Sequence, residues 1–213
     1  MEAETPSWLS AKVLVPVVLA VAAGVGLILW QVSQSEKARN EAAQLLAANP
    51  GPDTWEKLIR DYPGQPATAL AILDAAEDAS SKKDHRKAAG LYEKFVRDFP
   101  KHPLLSAARL GQANQLALAG DGAAAQSLYL RIVTERPPDA FRTAAAVGLA
   151  RIQIQENRPE AARQVLNDIL AENNGSAFLP EARALLEKLP PAPGAAIPLP
   201  AAAPAAVPQP PAR

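Results

Sequence analysis

The twelve residues WEKLIRDYPGQP, Trp55 to Pro66, return 37 positions later as YEKFVRDFPKHP, Tyr92 to Pro103. Six positions are identical, and most of the others exchange one aromatic or aliphatic residue for another. A unit this short cannot bury its apolar face alone, so successive units must stack, and stacked helical units bind more often than they catalyse. The period persists along the chain. Ala88, Ala125 and Ala162 share one position, Tyr92, Tyr129 and Leu166 the next large one, and Phe95, Ile132 and Ile169 follow a turn later. Earlier in each unit Ala71, Ala108, Ala145 and Ala182 align, as do Ala76, Ala113 and Ala150, and Leu73, Leu110 and Val147. Apolar residues fall three, four and seven apart, the spacing of one helix face. Each unit is therefore predicted to be two helices joined by a short turn. Small alanines let the helices approach, and the large residue one turn on fills the gap.

The turns have their own chemistry. Lys83-Asp84-His85-Arg86, Gly120-Asp121-Gly122 and Asn157-Arg158-Pro159 are clusters of helix breakers. Gly120 suits a left-handed helix end, and Pro159 suits the first turn of the helix that follows. Units close at Phe99-Pro100 and Arg136-Pro137-Pro138, with Asn174 in that slot the third time. The order small residue, turn glycine, alanine, aromatic, proline resembles the tetratricopeptide repeat with a few residues inserted per unit. Gly120, Ala125, Tyr129 and Pro137 carry the likeness best, and it spans roughly residues 32 to 189. The tryptophan and glycine usual in the first helix are replaced, mostly by Ala and Leu. The resemblance implies an all-α array of helical hairpins over residues 31–189. Its parts are an incomplete opening unit at 32–63, units at 67–100, 104–137 and 141–174, and a closing helix at 176–189.

After a short N-terminal segment, residues 1–12, the run from Val13 to Trp30 holds no charged side chain. Its 18 residues span about 27 Å at 1.5 Å each, against a hydrocarbon core of about 30 Å. Trp8 and Trp30 flank it and suit the two membrane interfaces. Pro16 is expected in the first turn, where it does least harm. Glu2, Glu4, a single preceding lysine and the lack of a polar cleavage region favour an uncleaved anchor at 13–30 over a signal peptide. Gln31 to Ala48 continue as a charged, Ala-rich helix, so the anchor is expected to run straight into the array, up to the break at Asn49-Pro50-Gly51-Pro52. At the other end, residues 190–213 are almost wholly Pro and Ala. That composition buries no core and predicts an extended or disordered tail.

Between anchor and tail about 158 residues remain, enough for one domain with a real core. The 22 basic and 22 acidic side chains cancel, and no basic stripe stands out, which argues against nucleic acid. With no cysteine, disulfides and thiolate metal sites are excluded. The two histidines, His85 and His102, fall in predicted turns with no nucleophile nearby. His85 beside Asp84 is read as a solvated turn pair. No spacing suits a metal, a phosphate or a cofactor. No catalytic residue, small-molecule substrate or cofactor is therefore expected, and the chain reads as a non-enzyme.

In helical arrays the first helix of each unit lines the concave face. Its exposed positions here carry Asp74, Glu77 and Ser81, then Asn114 and Leu118, then Arg151 and Gln155, a candidate mixed polar groove for an extended peptide or partner helix. Leu73, Leu110 and Val147 occupy the slot where carboxylate-clamping tetratricopeptide domains place lysine, so recognition of a peptide's C-terminal carboxylate is not expected. In the anchor, Ala20 with Gly24 and Ala22 with Gly26 make small-xxx-small pairs, candidates for close membrane-helix packing.

Lys12 before the span and Lys37 and Arg39 after it nearly balance, and lean slightly toward a cytoplasmic array. A short N-terminus, one anchor and an array of this size resemble the ancillary (YfgM-type) subunit family of the bacterial SecYEG translocon. That resemblance implies a single-pass inner-membrane protein with its array in the periplasm. Its expected partners are translocon subunits, chaperones or secretory clients. The phrase Phe95 to Pro103 is also similar to repeats in outer-membrane assembly lipoproteins, whose lipidation cysteine is missing here. The leading expectation is a membrane-anchored adaptor, and the alternative is a structural scaffold of a cell-envelope assembly.

Overall fold

The computed structural model describes residues 11–135, 141–172 and 175–191. Trp8, the Arg136-Pro137-Pro138 stop, Asn174 and the tail from residue 192 onward lie outside the described residues. All regular structure among the described residues is helical. The elements are α1 (Ala11–Ala48), α2 (Pro52–Asp61), α3 (Pro66–Ser81), α4 (His85–Asp98), α5 (Leu105–Leu118), α6 (Gly122–Thr134), α7 (Arg142–Gln155), α8 (Pro159–Glu172) and α9 (Leu179–Lys188). The chain divides into two compact units, residues 1–128 and 129–213, with the division inside α6. In a repeat array each hairpin packs only on its neighbours in sequence, so local cores replace the single core of a globular domain.

The residues that recur every 37 positions are the ones that vanish from solvent. Ala88, Ala125 and Ala162 are fully buried, as are Ala71, Ala145, Ala182, Ala76, Ala113 and Ala150, and Ala108 is nearly so. Phe95, Ile132 and Ile169 fill the space beside them. In the first unit one cluster joins Ala42 of α1 to Leu58, Ala67 and Ala71, with Trp55 and Tyr62 against it. A second joins Ala69 and Ile72 to Phe95 and Ala108. In the second unit Ala146, Val147 and Ala150 of α7 pack with Leu166 and Ile169 of α8 and Ala182 of α9.

The first helix of each hairpin ends in the same way three times. Lys83, Gly120 and Asn157, spaced by 37, all have positive φ, at 61°, 84° and 58°. The amide of each bonds back to Ser80, Ala117 or Ile154, and the next amide reaches Ala79, Leu116 or Gln153 at 2.8–2.9 Å. This paired closure satisfies carbonyls that a helix end leaves open. Asp84 and Asp121 then cap the following helices, accepting from the amides of Lys87 and Ala124 at 3.2 Å. Pro159 stands first in α8, where its missing N–H removes no bond.

α1 runs unbroken for 38 residues. Because it starts at Ala11, Pro16 lies a full turn inside it and not in the first turn as expected. Proline there leaves one backbone carbonyl without its helical donor, a defect that membrane helices tolerate through local adjustment. Residues 16–37 are exposed throughout. Contact with the rest of the first unit begins at Ala38 and follows the stripe Ala42, Leu45 and Leu46. Tyr62 donates to Glu41 at 3.2 Å and ties α2 to α1. The buried Thr68 hydroxyl donates to the carbonyl of Tyr62 at 2.6 Å and approaches that of Leu58 at 3.3 Å, closing the end of α2 from the start of α3.

Candidate protein-binding site

On α3 the side chains of Asp74, Glu77 and Ser81 are all exposed, at spacings of three and four that put them on one helix face. Burial, and then the charge of Glu77, raises the Asp74 carboxyl above the usual carboxylate range. On α5 Asn114 and Leu118 are likewise exposed one turn apart, Leu118 at 63 %, a large apolar side chain left to solvent. Tyr92 of α4 links the two helices. Its ring lies so close to Gly111 that a Cβ there would sit 2.9 Å from it. Burial and the nearby Glu77 charge raise its phenol. The first unit thus gathers Glu77, Tyr92 and the Gly111–Asn114 turn of α5.

In the second unit Arg151 and Gln155 are exposed one turn apart on α7. Arg151 forms an ion pair with Glu181 of α9, so its charge is already engaged. The aromatic arrangement recurs. Tyr129 sits against Gly148, where a Cβ would meet the ring at 2.5 Å. Burial pushes the Tyr129 phenol up to about 12, against a smaller opposite pull from Arg151. Both tyrosines are packing positions of the repeat, and the glycines opposite them were not among the expected ones. Gly111 and Gly148 are 37 apart, as are Tyr92 and Tyr129, and that register was the available signal.

The histidines depart from the solvated turns expected of them. His85 opens α4, half-buried, and its Nδ1 lies 2.9 Å from the side-chain oxygen of Gln115. The Gln115 amide nitrogen donates to Ser80 Oγ at 2.8 Å, so Nδ1 carries the proton in the His85 contact. Gln115, on α5, thereby joins the end of α3 to the start of α4. His102 stacks edge-on against Phe95, centroids 5.1 Å apart, and its Nδ1 accepts the Leu104 amide at 3.1 Å. Both rings serve packing, and neither is held by a carboxylate as a general base would be. No group of three metal-ligating side chains occurs among the described residues.

In the apolar half of α1 the large side chains from Val17 to Val32 are 48–64 % exposed. Among the described residues this is the one helix long and apolar enough to cross a membrane. Ala20, Ala22, Gly24 and Gly26 are exposed with it, and nothing lies within 4 Å of a Cβ built on either glycine.

Residues 9–183 match the family model described as a tetratricopeptide repeat-like domain. The chain belongs to that family. No curated protein matches it. Tetratricopeptide repeat-like domains are typically non-enzymatic protein-interaction modules, a role that the polar helix faces described above suit.

Proposed function

We propose that this tetratricopeptide repeat-like protein is a membrane-anchored adaptor that recruits other proteins beside the Sec translocon, assisting translocation or handover to periplasmic chaperones. The observation that carries the reading is α1. One helix is bare and apolar in its first half and built into the repeat cores in its second. From Trp30 to Ala38 the rise is about 12 Å, so the repeats start close to the bilayer surface. A protein-binding array held there meets chains as they leave the membrane. Each unit would present its own working face, Asp74, Glu77, Ser81, Asn114 and Leu118 on the first and, separately, Arg151 and Gln155 on the second. The family's protein-binding character supports this reading, and the unit-to-unit change in these residues suits a specific surface.

The array would lie on the periplasmic side of a bacterial inner membrane. With no native cysteine, an Ala123→Cys variant tests this directly, since position 123 is exposed. Labelling by an impermeant maleimide in cells with a permeabilised outer membrane is the expected result, and labelling only after lysis would place the array in the cytoplasm. Within the membrane, Ala20 with Gly24 and Ala22 with Gly26 lie about 200° apart around α1, so they serve different neighbours. Gly24→Leu and Gly26→Leu, made separately, should each weaken a different association. Unchanged co-purification with both would remove the packing role.

Site-specific photo-crosslinking from position 114 in native membranes tests the function. Capture of translocon subunits, secretory clients or chaperones is expected. A single envelope component captured in fixed ratio would replace the adaptor with a structural scaffold.

A further inference from the structure

A groove of about 390 Å³ runs along α7 in the second unit, between the end of α6 and α8. Leu149, Val133, Val165 and Ile169 form its apolar lining. Arg142 and Gln153 line it as well, near opposite ends of α7. Both are more than nine-tenths buried, at 9 % and 6 % exposure. Arg142 gives Nη2 to Glu172 at 2.7 Å, but its Nε and Nη1 have no partner, and neither has Gln153 Oε1. Orphaned buried polar atoms are rare and carry a free-energy penalty, so three of them on two side chains of one groove call for an explanation.

The repeat supplies an internal control. A groove of about 510 Å³ in the first unit uses the same register, with Gln112, Leu116 and Leu128 where the second has Leu149, Gln153 and Val165. Leucine therefore fits where Gln153 stands. At the Arg142 position the earlier repeats carry Leu105 and Thr68. Leu105 shows that the register does not require an arginine, and the Glu172 pair accounts for only one of its nitrogens, so the unpartnered Nε, Nη1 and Gln153 Oε1 are what point to a ligand.

Charge and spacing define that ligand. Glu172 already balances the guanidinium, and Asp168 adds a further negative charge at the rim, so an anion is disfavoured. Two unpartnered donors at one end and an acceptor at the other match the carbonyls and amides of a peptide backbone. The eleven-residue separation on α7 corresponds to about 16 Å, roughly five residues of extended chain. We propose that this groove binds an extended, uncharged, apolar segment of a separate polypeptide through its backbone. The unpartnered atoms are buried, so the bound chain reaches them by shifting the side chains that cover them. The inference rests on the protein-binding reading but uses a different face from the one probed at position 114.

The test is fluorescence anisotropy with the full-length protein in nanodiscs and a fluorescein-labelled, end-capped nonapeptide of Val, Leu, Ser and Gly. Saturable binding is expected. Gln153→Leu should weaken it about tenfold by removing one backbone bond. Ala161→Trp, which fills the groove from α8, should abolish it. A peptide N-methylated at alternate amides should lose affinity as Gln153→Leu does. Equal binding by wild type and both variants, or tighter binding of an acidic nonapeptide, would overturn the proposal. So would binding seen only after deletion of residues 192–213, which would make the chain's own tail the occupant. Absence of any binding also overturns it, while crosslinks from position 114 would still stand for the adaptor.

Discussion

Gly148 has no room for a methyl group. A Cβ there would lie 2.5 Å from the ring of Tyr129, which is 3 % exposed and cannot swing away. Alanine gains about 1 kcal/mol of helix propensity over glycine, but overpacking a rigid site costs about 1–3 kcal/mol. Gly148→Ala should therefore destabilise the protein in denaturant unfolding. Gly111→Ala meets a half-buried Tyr92 ring at 2.9 Å, which has space to shift, so its two terms should nearly cancel. The same burial makes Tyr129 a pH reporter. Its phenol is held at about 12 in the fold, against about 10 in an unfolded chain. Between those values the unfolded chain has released a proton that the folded one keeps, so stability falls as pH rises. The contribution is complete below about pH 10 and gone once pH passes the folded value. A Tyr129→Phe variant should lose less stability than wild type over this window in alkaline unfolding curves, and one tyrosine should ionise late by ultraviolet absorbance.

At the scale of elements, helix ends carry the differences between repeats. Lys83 holds the left-handed geometry that Gly120 adopts without strain. Relief of that strain should make Lys83→Gly stabilising by about 0.5–1 kcal/mol, read as a higher unfolding midpoint with an unchanged denaturant slope. Thr68 has the opposite role. Its buried hydroxyl satisfies carbonyls at the end of α2. Thr68→Val keeps the shape and removes the hydroxyl's bonds to two carbonyls that still accept the Tyr62 and Gln65 amides, a loss of about 0.5–1.5 kcal/mol. Amide exchange should quicken first in α2 and the start of α3. Uniform quickening across α4 and α5 would show that Thr68 is not a local closure.

At the scale of the molecule, α1 has an exposed apolar half of membrane-spanning length and a half packed into the repeat core, and the proposed anchor makes a test of the division. Removing residues 1–30 should release the protein from membranes while leaving the Ala42 contacts to Leu58, Ala67 and Ala71 in place. Removing residues 1–48 uncovers that cluster and should cost on the order of 2–4 kcal/mol. Carbonate extraction and thermal unfolding of the two truncations would separate anchoring from packing. Equal stability of both would mean that the second half of α1 contributes nothing to the core. The helix of membrane-spanning length and the all-α repeat class were legible in the chain because each is written in local spacing. An uncharged run of bilayer length and a 37-residue period need no knowledge of neighbours. Gly120 was legible for the same reason, whereas Lys83 was hidden because nothing in a lysine announces positive φ. The candidate binding residues were legible only as positions on a helix face. Packing decided that Arg151 pairs with Glu181, that Gln115 joins two helix ends, and that Arg142 and Gln153 lie buried with atoms unpartnered. Periodicity determines which way a side chain faces. Whether a polar group on that face meets water, a partner or nothing depends on atoms from other helices, which only the tertiary structure brings together.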